Sequence, residues 1–255
     1  MLIDFHCHTK DSFDAFTSYE ELLQVCINKN ISAIAITEHD LPSKVPDNKF
    51  RENNISLIHG CEFTTDTGAH IIGLFIREAL PKKNNVQSII DYIISQNGII
   101  YIPHPFKDKT GFCKMHSDYE RYLKHCNIIE IANGGIKESK EDINKIKEIS
   151  KKYGLILVSG SDSHKSEQIG YYVNYYETED TDLHYIVKNL SPKLYYDSNY
   201  HQPPRRLNFL QKKAIYQYLV LKISPKFKRF LKKFAYTILK KNRANYISNY
   251  VELNL

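Results

Sequence analysis

Two rhythms of apolar and polar residues alternate along the first 160 positions. Seven short runs, at 2–5, 31–37, 55–63, 70–76, 99–102, 127–131 and 155–159, are rich in Ile, Leu, Val and Ala and have the length and bounding turns of β-strands. The run at 31–37 has no consistent polar face, as expected of a strand covered on both sides. Between the runs, apolar residues recur at three- and four-residue steps and predict helices near 18–29, 85–96, 117–124 and 137–152. Ser18 with Glu21 three residues on predicts a capping box, and Asn97-Gly98 predicts a left-handed stop. Asp66-Thr67-Gly68, between the third and fourth runs, predicts a hairpin turn. Strand–helix alternation of this kind predicts a parallel α/β sheet, with enough strands for a closed or nearly closed barrel.

Composition narrows the class. The chain has 255 residues, 42% hydrophobic and 25% charged, which fits a globular domain and excludes disordered, collagen-like and disulfide-scaffold classes. Five scattered cysteines, an odd number, predict reduced thiols and a cytoplasmic protein. No apolar run approaches the ~20 residues of a membrane span, and the opening MLIDFHCH lacks a signal-peptide layout. Charge is uneven: residues 201–255 hold 13 Lys or Arg against one acid, Glu252, so the first 200 residues are net acidic. Two parts are therefore expected, a body at 1–200 and a basic extension at 201–255.

The metal-binding residue types gather at the ends of the predicted strands. His6 and His8 follow the first, His39-Asp40 the second, Glu62 closes the third and His104 follows the fifth. Glu130 lies in the sixth, and Asp162 and His164 follow the seventh. Residues i and i+2 of a strand share a face, so His6-x-His8 and Asp162-x-His164 each offer two ligands to one side. In an α/β barrel the strand ends meet at one mouth. Mixed His and carboxylate ligands without a cysteine cluster suit Mn, Fe or Zn, and their number predicts two or three divalent ions.

The ordered set His6-Cys-His8-Thr9, Ser12-Phe-Asp14, Thr37-Glu-His39-Asp40, Gly60-Cys-Glu62, Pro103-His104-Pro105 and Gly160-Ser-Asp162-Ser-His164 resembles the PHP (polymerase and histidinol phosphatase) superfamily over about residues 1–200. The resemblance implies a distorted (β/α)7 TIM-like barrel hydrolysing phosphate esters with a hydroxide shared by two or three divalent ions. It implies one ion on His6, His8, Glu62 and Asp162, and a second on Glu62 and His104 with Glu130 as ligand or support. A third would sit on Asp14, His39 and His164, with Asp11 as the alternative to Asp14. His70 is a ligand, a support or a structural residue. Asp40 and His164 are candidate catalytic groups, and Lys107 and Lys165 candidate phosphate contacts. The expected substrate is a small phosphomonoester; nucleotide or glycan phosphodiesters are the alternative, and a metal-retaining scaffold at a membrane is the alternative outside enzymes.

In the basic extension, Ser224-Pro225 predicts a helix start. Phe227, Phe230, Leu231, Phe234, Ile238 and Leu239 form one stripe among seven Lys or Arg at 226–241. Such a helix either packs on the body or meets an anionic membrane surface through 225–241, at the inner face of the membrane; nucleic acid is the lesser alternative.

Overall fold

The computed structural model describes residues 1–80, 84–200, 249–253 and 255. The chain divides into two compact units, Met1–Ser198 with Asn249–Leu255, and Asn199–Ser248. The amphipathic stretch expected at 225–241 lies outside the described residues.

Ten strands form one mixed sheet: β1 (Leu2–Cys7), β2 (Ala33–His39), β3 (Ser56–Thr64), β4 (His70–Leu74), β5 (Ile99–Ile102), β6 (Ile128–Asn133), β7 (Ile156–Gly160), β8 (Tyr172–Tyr175), β9 (Lys193–Asp197) and β10 (Tyr250–Glu252), in the order β10-β9-β8-β1-β2-β3-β4-β5-β6-β7. Helices α1 (Tyr19–Asn28), α2 (Asp47–Arg51), α3 (Val86–Ser95), α4 (Phe112–Met115), α5 (Glu120–Leu123), α6 (Lys140–Tyr153) and α7 (Leu183–Asn189) join them. The sheet curls. Past the end of β7, Ser163 bridges Cys7 in parallel, with the His8 N–H donating to the Ser163 carbonyl at 2.9 Å.

The (β/α)7 repeat of the distorted barrel expected from the resemblance is interrupted. β4 runs antiparallel to β3, because the five residues between them are too few for the crossover of a dozen or more that a parallel pair requires, and β5 is antiparallel to β4 in turn. The turn around Asp66–Gly68 makes the expected hairpin instead. Antiparallel β8, β9 and β10 extend the sheet beyond β1. The helix expected at 117–124 is present only as the single turn α5, and a separate turn, α4, precedes it beyond the extended His116.

Local signals set most of the remaining boundaries. Ser18 and Glu21 form the reciprocal capping box of α1. Asn97 (φ 54°) follows α3, and Gly154 (φ 68°) stops α6.

The inner face of the sheet changes character along the strands. Toward their N-terminal ends it is apolar, with Ile3, Phe5, Ala33, Ala35, Ile58, Ile72, Ile99, Ile128 and Val158 in one buried cluster. Toward the C-terminal ends of the parallel strands the same face carries His6, His39, Glu62 and Glu130. In β1 a register shift between Asp4 and Cys7 reverses the alternation, so that the inward side passes from Ile3 and Phe5 to His6 and His8. Gly160 has no room for a side chain, since a Cβ there would lie 2.3 Å from Glu130 Oε1 and 2.6 Å from His6 Cβ. Two outer clusters pack α3 and α6 on β4–β7, and α1 and α2 on β1–β3.

Candidate metal centre

Side chains from six strand ends and the loop after β1 meet over this polar layer. His6 Nε2 lies 3.6 Å from Glu62 Oε2 and 3.5 Å from Asp162 Oδ1. His8 Nε2 lies 3.4 Å and 3.5 Å from the same two oxygens. All four residues are buried, and His6 Nε2 and His8 Nε2 have no hydrogen-bond partner among the described residues. Ligand atoms bonded at ~2.1 Å around a tetrahedral cation stand about 3.4 Å apart. Orphaned buried polar atoms at that spacing fit a divalent ion, which would remove the cost of leaving them unpaired.

Two further groupings adjoin the first. Glu62 Oε1 is 2.7 Å from His70 Nδ1 and 3.1 Å from His104 Nε2. Asp14 Oδ2 is 3.1 Å from His164 Nε2 and 3.4 Å from His39 Nε2, while His39 Nδ1 reaches back to Glu62 Oε2 at 3.0 Å. Among the described residues, four triads drawn from His6, His8, His39, Glu62, His70, His104, Asp162 and His164 bring ligand atoms within 4.8 Å of one another. Glu62 is central to the set.

Surrounding groups fix these rings. Glu130 Oε1 faces His6 Nδ1 at 3.3 Å and accepts from the Tyr101 hydroxyl at 2.5 Å. Its Oε2 accepts from the His104 N–H at 2.6 Å and from Asn133 Nδ2 at 2.8 Å. With Nδ1 bound to a carboxylate, His6 turns Nε2 to the centre. His104 itself has φ 30°, a conformation that costs free energy outside glycine and that the Glu130 contact stabilises. Buried Glu38 accepts from the Thr9 and Ser12 hydroxyls; Ser12 Oγ in turn lies 3.4 Å from His8 Nδ1 and accepts from the His39 N–H at 3.1 Å. His164 Nδ1 is 2.9 Å from the Asp162 carbonyl, and Gln168 Oε1 accepts from the His164 N–H at 2.9 Å.

The electrostatics favour a cation. Burial works against charge on Glu62, but His70, His39 and His6 hold its carboxyl well below the usual range. Burial is likewise overcome at Asp162, chiefly by His6 and Lys107. Burial, with His39 and His164 nearby, pulls His8 down to about 3 and leaves it neutral with a free lone pair. At His39 burial is outweighed by Glu62 and Asp14, which push it up to about 10. The carboxylates that raise His39 make the same anionic field attractive to a divalent cation, to which each ligand imidazole would give up its proton.

The remaining candidates are placed as follows. Asp14 joins the cluster, whereas Asp11 accepts from the Tyr19 hydroxyl. Asp40 accepts from the Thr64 N–H at 2.7 Å and hydroxyl at 3.0 Å, and its own N–H donates to the Glu62 carbonyl, tying the end of β2 to β3. Lys107 Nζ is 3.2 Å from Asp162 Oδ2 and lines a cleft of about 450 Å³ over the centre. The N–H of Lys165 donates to Gln168 in the turn after His164. The residues overlooked in the sequence are supports: Glu38, Tyr101, Asn133 and Gln168. Only Glu38 carried a visible signal, its place between Thr37 and His39 at the end of an apolar run.

A curled α/β sheet with a buried His/carboxylate cluster at its strand ends defines a metal-dependent hydrolase class. The PHP domain model matches residues 4–253, and the chain belongs to that family. An uncharacterized protein of Methanocaldococcus jannaschii, MJ0417, is 30% identical over 173 residues, 67% of this chain and 68% of that one. A protein of Clostridium botulinum named a probable phosphatase is 27% identical, over 66% of this chain and 81% of its own length. Among solved structures, a two-domain protein containing a predicted PHP-like metal-dependent phosphoesterase from Bacteroides vulgatus superposes with a TM-score of 0.55 at 17% identity. That match covers 77% of this chain and 58% of the other.

Proposed function

We propose that this chain, a PHP-type metal-dependent phosphoesterase, hydrolyses small phosphomonoesters in the cleft above Glu62. The observation that supports this most directly is the pair of buried, orphaned ligand atoms His6 Nε2 and His8 Nε2 beside Glu62 and Asp162, two carboxylates that line an open cleft. His6, His8, Glu62 and Asp162 would hold one ion. Glu62 with His70 and His104 would hold a second, and Asp14, His39 and His164 a third. Bound divalent ions of the Mn, Fe or Zn type would lower the pKa of a coordinated water and neutralise charge on the phosphate.

The chain's own groups supply positioning. Lys107 reaches into the cleft from beside Asp162 and binds a non-bridging phosphate oxygen, stabilising charge that grows as the ester bond breaks. Asp40 acts through Thr64, holding the strand ends that present His39 and Glu62. Glu130 supports His6 and His104 and leaves coordination to them. Lys165, on the turn that follows His164, is a candidate second contact for the phosphate.

The test begins with chelator-treated protein assayed on p-nitrophenyl phosphate and bis-p-nitrophenyl phosphate before and after Mn²⁺ is added. The reading requires loss on chelation, recovery with Mn²⁺ and preference for the monoester. Preference for the diester would move the assignment to a phosphodiesterase. Metal binding without turnover of either ester would favour the scaffold role, and full activity of Glu62→Ala would reject the site. A cytoplasmic location is part of this proposal. Among the described residues no helix is long and apolar enough to cross a membrane.

A further inference from the structure

We propose that the outer part of the cleft is a leaving-group subsite for an alcohol bearing a planar ring, with Phe13 as the ring's platform and Thr110 as the contact for a hydroxyl of the same group. The inference rests on the phosphoesterase reading and adds what that reading leaves open, the chemistry of the ester's other half.

Phe13 lines the cleft and is 50% exposed, whereas Phe5, Phe50, Phe63 and Phe112 are buried. A large apolar side chain held in water beside a polar cluster has unused capacity for burial. Its ring centroid lies 5.3 Å from that of His39, with the planes 35° apart, so His39 backs one side and the rest of the ring is open. From there the wall continues through neighbours: the His39 ring is 5.5 Å from the His70 ring, and the His70 N–H donates to the Thr110 carbonyl at 2.9 Å. Thr110 also lines the cleft, and its Oγ1 is buried without a hydrogen-bond partner among the described residues.

One wall therefore has an uncovered aromatic ring at one end and an unsatisfied hydroxyl at the other, with metal-ligand candidates between them. A phosphate held over the centre fills the middle of this wall and satisfies neither end. The cleft, at about 450 Å³, falls within the ~300–1,000 Å³ range of small-molecule pockets and has room for a ring beside the phosphate. A ring stacked on Phe13 uses the apolar end, and a ligand hydroxyl near Thr110 uses the polar one. The shared chemistry is a phosphorylated, ring-bearing alcohol; its source is either a nucleoside or a simple aromatic alcohol.

The test is calorimetric titration of the full, Mn²⁺-loaded chain with three phosphonates whose P–C bonds resist hydrolysis: methylphosphonate, benzylphosphonate and the 5′-methylenephosphonate analogue of adenosine monophosphate. The native chain is expected to bind at least one ring-bearing probe about tenfold or more tightly than methylphosphonate, the scale of one aromatic stack. Phe13→Ala should erase that advantage while leaving methylphosphonate affinity within twofold, and Phe13→Tyr should keep it. Thr110→Val should weaken the adenosine analogue alone. Tight benzylphosphonate with a weak adenosine analogue identifies a simple aromatic alcohol, and the reverse a nucleoside. Equal affinity of the native chain for all three probes overturns the subsite. So does equal weakening of all three by Phe13→Ala, which would mean that Phe13 acts by placing Asp14. If methylphosphonate fails to bind while the ring probes bind, the phosphate reading falls and the ring subsite stands; binding of none overturns both.

Discussion

Replacing Glu130 by Gln tests how the centre is held, because the change keeps shape and removes a single acceptor oxygen. The native carboxylate receives four contacts: the Tyr101 hydroxyl and His6 Nδ1 on Oε1, and the His104 N–H and Asn133 Nδ2 on Oε2. An amide nitrogen on the Oε2 side would face two donors that cannot reverse, leaving them unpaired at ~1–3 kcal/mol. Its NH₂ is therefore driven to the Oε1 side, where the Tyr101 hydroxyl can rotate to accept and His6 can accept only as its other tautomer. In that tautomer the proton moves to Nε2, the atom aimed at Glu62 and Asp162. Metal binding must then reverse the tautomer and leave a donor facing the amide. Loss of such a supporting contact costs 10–100-fold in metal affinity, about 1.4–2.7 kcal/mol. Competition with a chromogenic chelator measures the affinity and the number of ions bound, and thermal unfolding of the metal-free chain checks that the variant folds. The expected result is weaker binding with the stoichiometry unchanged. One ion fewer at otherwise native affinity would make Glu130 a ligand, and affinity within twofold of the native chain would refute the argument.

Three other outcomes are expected. Lys107→Ala should raise the KM for p-nitrophenyl phosphate about tenfold, roughly the worth of one charge-assisted hydrogen bond, with Mn²⁺ stoichiometry unchanged; an unaltered KM would remove Lys107 from the phosphate site. Burial pushes the Glu138 carboxyl up to about 8 from an ordinary value near 4.5, so the native chain keeps a proton that the unfolded chain has lost. Stability should fall as pH rises through this interval, and Glu138→Gln should abolish that part of the fall in thermal melts between pH 5 and pH 8. The two readings of the basic stretch at 225–241 are separated by liposome flotation: membrane contact requires full-length protein to float with anionic liposomes at low salt and be released as salt rises, and packing on the body requires that it stay unbound. A variant with Lys226, Lys228, Arg229, Lys232 and Lys233 changed to Glu should stay unbound, and equal flotation of both would dismiss the membrane role.

The strand–helix core of the fold was legible because burial imposes a period. A strand covered on both faces, such as β2, must be apolar through its first residues, as Ala33–Ile36 is, and a helix that meets the sheet on one side must show the stripe seen in α3 and α6. Capping chemistry was legible for the same local reason at Ser18 and Asn97. Strands β8 and β9 were not, since Tyr-Val-Asn-Tyr and Lys-Leu-Tyr-Tyr-Asp are short and mix polar with aromatic positions. Their identity comes from what they pair with: Asn174 of β8 donates to the Ile3 carbonyl and accepts from the Ser159 N–H, contacts between segments more than a dozen residues apart.

The site shows the same division between local and distant causes. Two-residue spacing at strand ends made His6-x-His8 and Asp162-x-His164 readable as pairs, although Asp162 lies past the end of β7 with φ 47° and is aimed by its turn rather than by the pleat. The choice between Asp11 and Asp14 had no such basis, as both lie in a loop. Their different surroundings come from two contacts from elsewhere: the Tyr19 hydroxyl donates to Asp11, and the Phe16 N–H donates to the His164 carbonyl at 2.9 Å, drawing Asp14 against His164. Glu130 was ambiguous for a related reason. Strand parity could place its carboxylate inside the sheet, but whether it faces a cation or a ring of donors depends on Tyr101, His104 and Asn133, two of which lie on other segments. Ligands can thus be read where backbone geometry alone aims them. The residues that hold those ligands in place can be read only once the strands stand side by side, which is why substitution at Glu130 probes the folded arrangement more sharply than substitution of any histidine in the motifs.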